Sequence, residues 1–404
     1  MAKELDFKQG EYKEAVDYFK QKINLPTKKW NDLEGAMHTR AFTVAGAMRE
    51  DILCDFRNAV DKAISKGESL QQFRDRFYQI AGKWSEADEN FKEKMERPKY
   101  GAWRSKVIYQ TNVITAAAAA KERQARALPD VFTHAKYVCM MLPGSREEHK
   151  AWNGTVLPVN HPWWEKHSPP NGFGCLCQKE FISKYEMEAG MEKVTKAPTA
   201  PDDTTNIGEN WDYSIGDADL GKFQKDEAKE EWKNSPQKNL WEKTDIDLPK
   251  GANPMGTPKK TPYTEDIGEF KTTFQKRIEE EFNDDENAYV GKDYMTYNVK
   301  IKGCTYPLYI NPELVGTHFL KKGSKTEWKP QRTKLINYFI ETLKNPSAMK
   351  MEFDKSSSGK ISISTVFVGL FQNGKTKKPM KLVFRATNGH LQLWTFYRDD
   401  GIQI

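Results

Sequence analysis

Two groups of residues in this chain have the types and spacing to do chemistry. The first lies between His149 and Cys177. Cys175 and Cys177 stand one residue apart, so in an extended segment both thiols share a face. They are too close to bridge each other easily, because a disulfide has a demanding geometry. His149, His161 and His167 precede them. Thiolate sulfurs and imidazole nitrogens at this density are ligands for a soft divalent metal, zinc first among them. The expected set is Cys175, Cys177, His149 and His161, with His167 the remaining histidine of the stretch. The competing reading is a turn-rich knuckle with two reduced thiols, held by packing alone. In either case the expected role is structural, because no carboxylate stands where a general base would be needed. Arg146 and Glu148 read as a local ion pair.

The second group lies in the last third. His318 ends Val315-Gly316-Thr317-His318, just ahead of the basic loop Lys321-Lys322-Gly323-Ser324-Lys325. Metal-free cleavage of RNA needs a base for the 2′-hydroxyl proton, an acid for the leaving oxygen and cations around the phosphate. His318 titrates in the right range to be the acid or base. Arg385 or Arg398 can hold the phosphate bidentately, and Thr395 and Tyr397 offer hydroxyls to the same group. This chemistry requires no cofactor. Alternation sets Leu391, Leu393, Thr395 and Tyr397 against Gln392, Trp394, Phe396 and Arg398, and Trp394 and Phe396 read as core rather than as base-stacking platforms. From Val290 onward there are 19 basic and 8 acidic side chains, a net of +11, whereas the whole chain carries +6. A basic module is thus set apart from an acidic remainder. The plainer reading of that basic face is a solvated surface. A nucleotide-transferase reading lacks a Gly-rich phosphate loop, and Asn388-Gly389 is better explained as a hairpin turn.

The elements that must position these residues fall into two modules. With 404 residues the chain has room for two or three domains. Hydrophobic residues make up 38% and the mean hydropathy is -0.80, which points to long polar helices or linkers rather than one large core. Five cysteines are an odd, sparse set, not a disulfide framework, and fit a reducing compartment. The N-terminus shows no apolar secretory segment, and no apolar run reaches membrane-spanning length. Apolar spacing predicts helices over residues 11–23, 41–65, 70–80 and 103–127. A strand over 131–141 follows, then a hairpin arm at 155–158 after the Asn153-Gly154 turn. Residues 197–263, rich in Pro, Asp, Lys and Gly, read as an extended linker. Beyond it come a helix over 264–282, strands over 294–301 and 305–310, and a helix over 326–343 stopped by Asn345-Pro346. Strands over 348–353, 361–371, 381–386 and 391–398 close the chain.

The first group of residues carries a resemblance. Ser145-Arg146-Glu147-Glu148-His149, the Asn153-Gly154 turn, His161-Pro162-Trp163-Trp164 and Pro169-Pro170-Asn171-Gly172-Phe173-Gly174-Cys175-Leu176-Cys177 resemble, in this order, the signature of the phage Mu F-like head morphogenesis family, the minor capsid proteins. Residues 40–45, 67–73 and Thr111-Asn112 resemble its helical lead-in, and residues 206–220 its downstream tail. The last third, with His318 before a helix ending in Asn345-Pro346 and closing strands bearing Arg385, Thr395, Tyr397 and Arg398, resembles phage-associated barnase/EndoU/colicin/RelE-like nuclease domains.

These resemblances imply a virion protein of the capsid interior or head-tail region, assembled in the host cytoplasm. Its partners would be the portal and other capsid proteins, RNA or DNA for the last domain, and an immunity protein. The alternative is a purely structural virion protein whose basic domain grips DNA or the portal. The expected architecture is multidomain. A mainly α module with a small β knuckle spans 1–196, a linker spans 197–262, and an α+β domain with an antiparallel sheet spans 263–404.

Overall fold

The computed structural model describes residues 12–33, 35–219, 266–282, 289–290, 295–301, 304–310, 335–355, 361–373, 376–387 and 390–398. The chain divides into two compact units, Met1–Ala228 and Lys229–Ile404.

The first unit opens with helix α1 (Lys13–Lys20), strand β1 (Ile23–Asn24), a 3-10 turn (Gly35–Thr39) and strand β2 (Ala41–Phe42). β2 pairs in parallel with β1. Helix α2 (Glu50–Ser65) therefore starts well after residue 41. The apolar stripe does run through 41–49, but Ala41 and Phe42 are drawn into the ladder and Gly46 adopts a left-handed backbone (φ +87°) that no helix accommodates. Helix α3 (Leu70–Ala87) begins at a capping box, in which Ser69 and Gln72 each accept the other's backbone N–H. α4 (Glu89–Met95) is capped by Asp88, and the long α5 (Tyr100–Ala127) follows. The bundle is filled by Phe56, Phe73 and Phe77, each wholly buried, with Trp84 stacked on Phe91 at 3.6 Å.

A three-stranded sheet in the order β4-β3-β5 comes next. It is built from β3 (Phe132–Val138), β4 (Val156–Pro158) and β5 (Gln178–Ser183), with short helices α6 (Glu147–Ala151) and α7 (Trp163–His167) in its loops. β3 and β4 pair antiparallel, Ala135 opposite Leu157. Their connection is not the two-residue hairpin that Asn153-Gly154 suggested. It contains α6, and Asn153 instead accepts the Cys139 N–H while Gly154 donates to the Tyr137 carbonyl.

α8 (Lys184–Glu188) and α9 (Ile215–Asp219) are the last described elements of the unit. The segment from residue 197 to Asp219, expected as the start of a linker, folds against this unit, with Trp211, Ile215 and Asp219 buried. Gly216 permits this, since a Cβ there would lie 2.3 Å from the Glu122 side chain of α5. Asp219 then receives hydrogen bonds from Gln21, Arg40 and Arg123. The rest of the expected linker, residues 220–262, lies outside the described residues.

The second unit is α+β. Helix α10 (Ile267–Phe282) precedes β6 (Tyr289–Val290), β7 (Met295–Ile301), β8 (Cys304–Ile310), α11 (Ile336–Lys344), β9 (Ala348–Lys355), β10 (Ile361–Asn373), β11 (Thr376–Thr387) and β12 (His390–Arg398). The sheet order is β6-β7-β8-β12-β11-β10-β9. It is mixed rather than antiparallel throughout, because β12 closes the meander by running parallel to β8, with Leu391 opposite Leu308. Phe396 on β12 meets Phe339 of α11, which meets Phe274 of α10, so both helices cover one face. Among the described residues no helix is long and apolar enough to cross a membrane.

Candidate metal centre

The knuckle is positioned by β3 and β5 and by a packed set of rings. Tyr137 meets Trp152 edge to face, as Trp152 does Trp163. Asn171, wholly buried, is the polar hub. Its Oδ1 accepts the Tyr137 hydroxyl at 3.1 Å, while its Nδ2 donates to the carbonyls of Ser168 and Lys166 at 3.3 and 3.4 Å. Beyond it the chain turns through Gly172, Phe173 and Gly174, the last left-handed at φ +73°. The Cys175 N–H closes this turn on the Gly172 carbonyl. Arg146 lies along Gly172 and donates to the Phe173 carbonyl at 3.4 Å. It braces this turn, where the sequence had suggested an ion pair with Glu148.

The turn delivers both thiols to one imidazole. Among the described residues His149, Cys175 and Cys177 form one group whose donor atoms all lie within 4.8 Å of one another, all three buried. His149 Nδ1 lies 3.6 Å from Cys175 Sγ and 3.7 Å from Cys177 Sγ. Its ring stacks on Trp152 at 5.0 Å, and its buried Nε2 has no hydrogen-bond partner among the described residues. A hydrogen bond from Cys177 brings the Cys175 thiol down to about 4, with His149 assisting against burial. The same partnership, with burial, pushes Cys177 up. Tyr137 is raised by burial and by the neighbouring thiols.

The other two histidines are used elsewhere. His161 Nδ1 accepts the Trp163 N–H at 3.2 Å, so it caps the start of α7 and does not join the thiols. His167 donates from Nδ1 to the Trp163 carbonyl at 2.9 Å, accepts the Thr199 hydroxyl on Nε2, and stacks on Trp163 at 4.4 Å. Burial lowers its pKa. Asn171 and Tyr137 were not singled out from sequence, although the Pro-Pro-Asn-Gly run was the signal for the first.

Beside the trio lies a cavity of about 670 Å³, lined also by Lys22, Arg104, Lys106, Arg146 and Glu209. Trp30, Trp103 and Phe173 line it as well and stay 40–53% exposed. Burial brings Lys22 down to about 7, and its ammonium donates to the His38 carbonyl at 2.7 Å.

Residues 54–180, from within α2 to within β5, match the family model described as Phage Mu protein F like protein. This stretch resembles phage Mu protein F. The chain is 33% identical over 190 residues to the putative capsid assembly protein F of Escherichia phage Mu, covering 45% of this chain and 42% of that protein. It is 29% identical over 231 residues to the Mu-like prophage FluMu F protein of Haemophilus influenzae (strain ATCC 51907 / DSM 11121 / KW20 / Rd), covering 49% of this chain and 55% of that one. The chain thus spans about half the length of these relatives. No solved structure matches. The matched stretch contains His149, Cys175 and Cys177 and the helices α3 to α5, of which α5 packs on β5.

In the second unit, His318 lies outside the described residues. Arg385 is half-buried with its guanidinium 3.7 Å from the centre of the Trp394 ring. Thr395, Tyr397 and Arg398 pair along the backbone with Val383, Lys381 and Met380. Trp394 is 41% exposed, against its expected place in the core. The ladder shifts register between Val383 and Phe384, so that Leu393 pairs with Phe384 and Thr395 with Val383, leaving Trp394 as a bulge. The extra residue reverses the alternation, which is why Leu393 and Phe396 are both buried.

Proposed function

We propose that the chain is a minor virion protein acting in phage head assembly, with capsid and portal proteins as its partners. The observation that carries this reading is the Mu F-like stretch over residues 54–180, together with the similarity to a putative capsid assembly protein of phage Mu. The first unit would then be the assembly module. The test is deletion of the gene from a phage that encodes the chain, followed by electron microscopy of the lysate and immunodetection of the chain in purified particles. Normal yields of filled heads, with the chain absent from wild-type particles, would sink the reading.

For the second unit we propose RNA cleavage without metal, by His318 with Arg385 or Arg398 and the hydroxyls of Thr395 and Tyr397, restrained by an immunity protein before release. Support comes from the net +11 after Val290 and from Arg385 stacked on the half-exposed Trp394. A cation over an aromatic ring on a sheet surface is a platform on which an unpaired base can stack. The full chain is incubated with total RNA in chelator beside His318→Ala. Loss of ~10²–10⁴ in rate is expected from removing a positioned acid or base. Equal cleavage by both proteins would place the site elsewhere. No cleavage by either, with chelator or magnesium, leaves a sheet that grips DNA or the portal.

A further inference from the structure

Three observations about His149, Cys175 and Cys177 reach beyond a cluster of polar groups. The first is distance. Around a tetrahedral zinc ion, bonds of about 2.3 Å to sulfur and 2.0–2.1 Å to nitrogen place sulfur and nitrogen about 3.6 Å apart. The two contacts measure 3.6 and 3.7 Å, so both sulfur–nitrogen edges already match those of a zinc site. The second is burial. The three residues are 2–5% exposed, and paired thiolates taken out of water call for a cation beside them. The third is number. Among the described residues the group ends at three, and Cys139, the other thiol of this core, has its backbone held by Asn153 at 2.8 Å. All three members line the 670 Å³ cavity. Zinc with four protein ligands ties loops together, whereas zinc with three protein ligands keeps a position for something else.

We propose that His149, Cys175 and Cys177 bind one zinc ion whose fourth coordination position opens into the neighbouring cavity. The class of ligand follows from the lining. Three cationic side chains (Arg104, Lys106 and Arg146), joined by Lys22 when it is protonated, stand against the carboxylate of Glu209, so the open position favours an anionic donor. This revises the purely structural role expected from sequence. It is independent of the role of the chain in a particle.

The test uses the full chain, stripped with chelator and reloaded with cobalt(II) as a visible stand-in for zinc. One cobalt per chain is expected, with charge-transfer intensity of two thiolates. Azide, a small anionic probe, is expected to shift the visible bands. Cys177→Ser should lose one thiolate's share of the intensity, and Cys139→Ser should lose none. Should a cysteine variant fail to fold by circular dichroism, the azide titration of the unaltered chain decides alone. Cobalt and zinc uptake no tighter than that of the Cys175→Ser/Cys177→Ser double variant overturns the site. Bands that ignore azide, or a third thiolate lost in Cys139→Ser, overturn the open position.

Discussion

The helical bundle and the Cys–His knuckle of the first unit reach order by different means. In the bundle, Phe56, Phe73 and Phe77 are wholly buried among aliphatic neighbours, and each such ring removed from water stabilises the fold by roughly 1.5–3 kcal/mol. No single polar atom decides the arrangement. In the knuckle the segments are short and the turns many. Asn171, Asn153 and Arg146 hold backbone groups there one by one. An area-driven core tolerates change in proportion to volume lost. A core built on convergent donors fails when one of them is removed, and it can gain stability from an ion.

Removing bulk from the bundle should have the largest effect. Phe77→Ala is expected to cost ~3–5 kcal/mol, read from the urea midpoint, and chelator should leave that loss unchanged. A chelator-dependent loss there would erase the distinction between the two regions.

Of the same order is Asp219→Asn, because Asp219 sits between Arg40 and Arg123 with its side chain 1% exposed. Breaking a buried pair from one side costs ~3–5 kcal/mol. Its pH dependence has a definite sign. Burial raises the Asp219 carboxyl, but Arg40 and Arg123 outweigh burial and leave it below its ordinary value. Its stabilisation is therefore complete above the unfolded value, about 3.9, and is lost as pH falls through the lower folded value. Acid melts should show the parent losing stability below about pH 4 more steeply than Asp219→Asn.

A smaller loss, about 1–3 kcal/mol, is expected for Asn171→Ala, which strands the Tyr137 hydroxyl and two carbonyls. Near-ultraviolet circular dichroism of the knuckle tryptophans should change while the helical signal stays. Loss of both signals together would mean that the two regions do not fold separately. Smallest is Ser69→Ala at the α3 cap, with ~0.5–2 kcal/mol expected in the melt.

What could be read in advance follows the range of the interaction. α5 was legible because its periodicity and its Ala116–Ala120 run are local, and the two thiols were legible because their spacing is. Which histidine joins them was not. His149, His161 and His167 look alike in sequence, and only the placement of Trp163 and Thr199 commits His167 elsewhere. The helix expected from residue 41 failed because β1, eighteen residues upstream of Ala41 at Ile23, claims the same backbone. Trp394 was misassigned because strict alternation does not foresee a bulge. The docking of residues 197–219 rests on Asp219 meeting Arg40 across 179 residues of chain, which no composition window can register.

That last contact has a mechanical side. Gln21, just after α1, bonds Asp219 of α9 at 2.6 Å, so two segments 198 residues apart in the chain are clasped to each other. A pull applied in opposite directions along the chain at these two points loads the clasp of Gln21, Arg40, Arg123 and Asp219 before it strains the bundle. The helices behind it would be spared until the clasp opens, as a looped cord is spared by its knot.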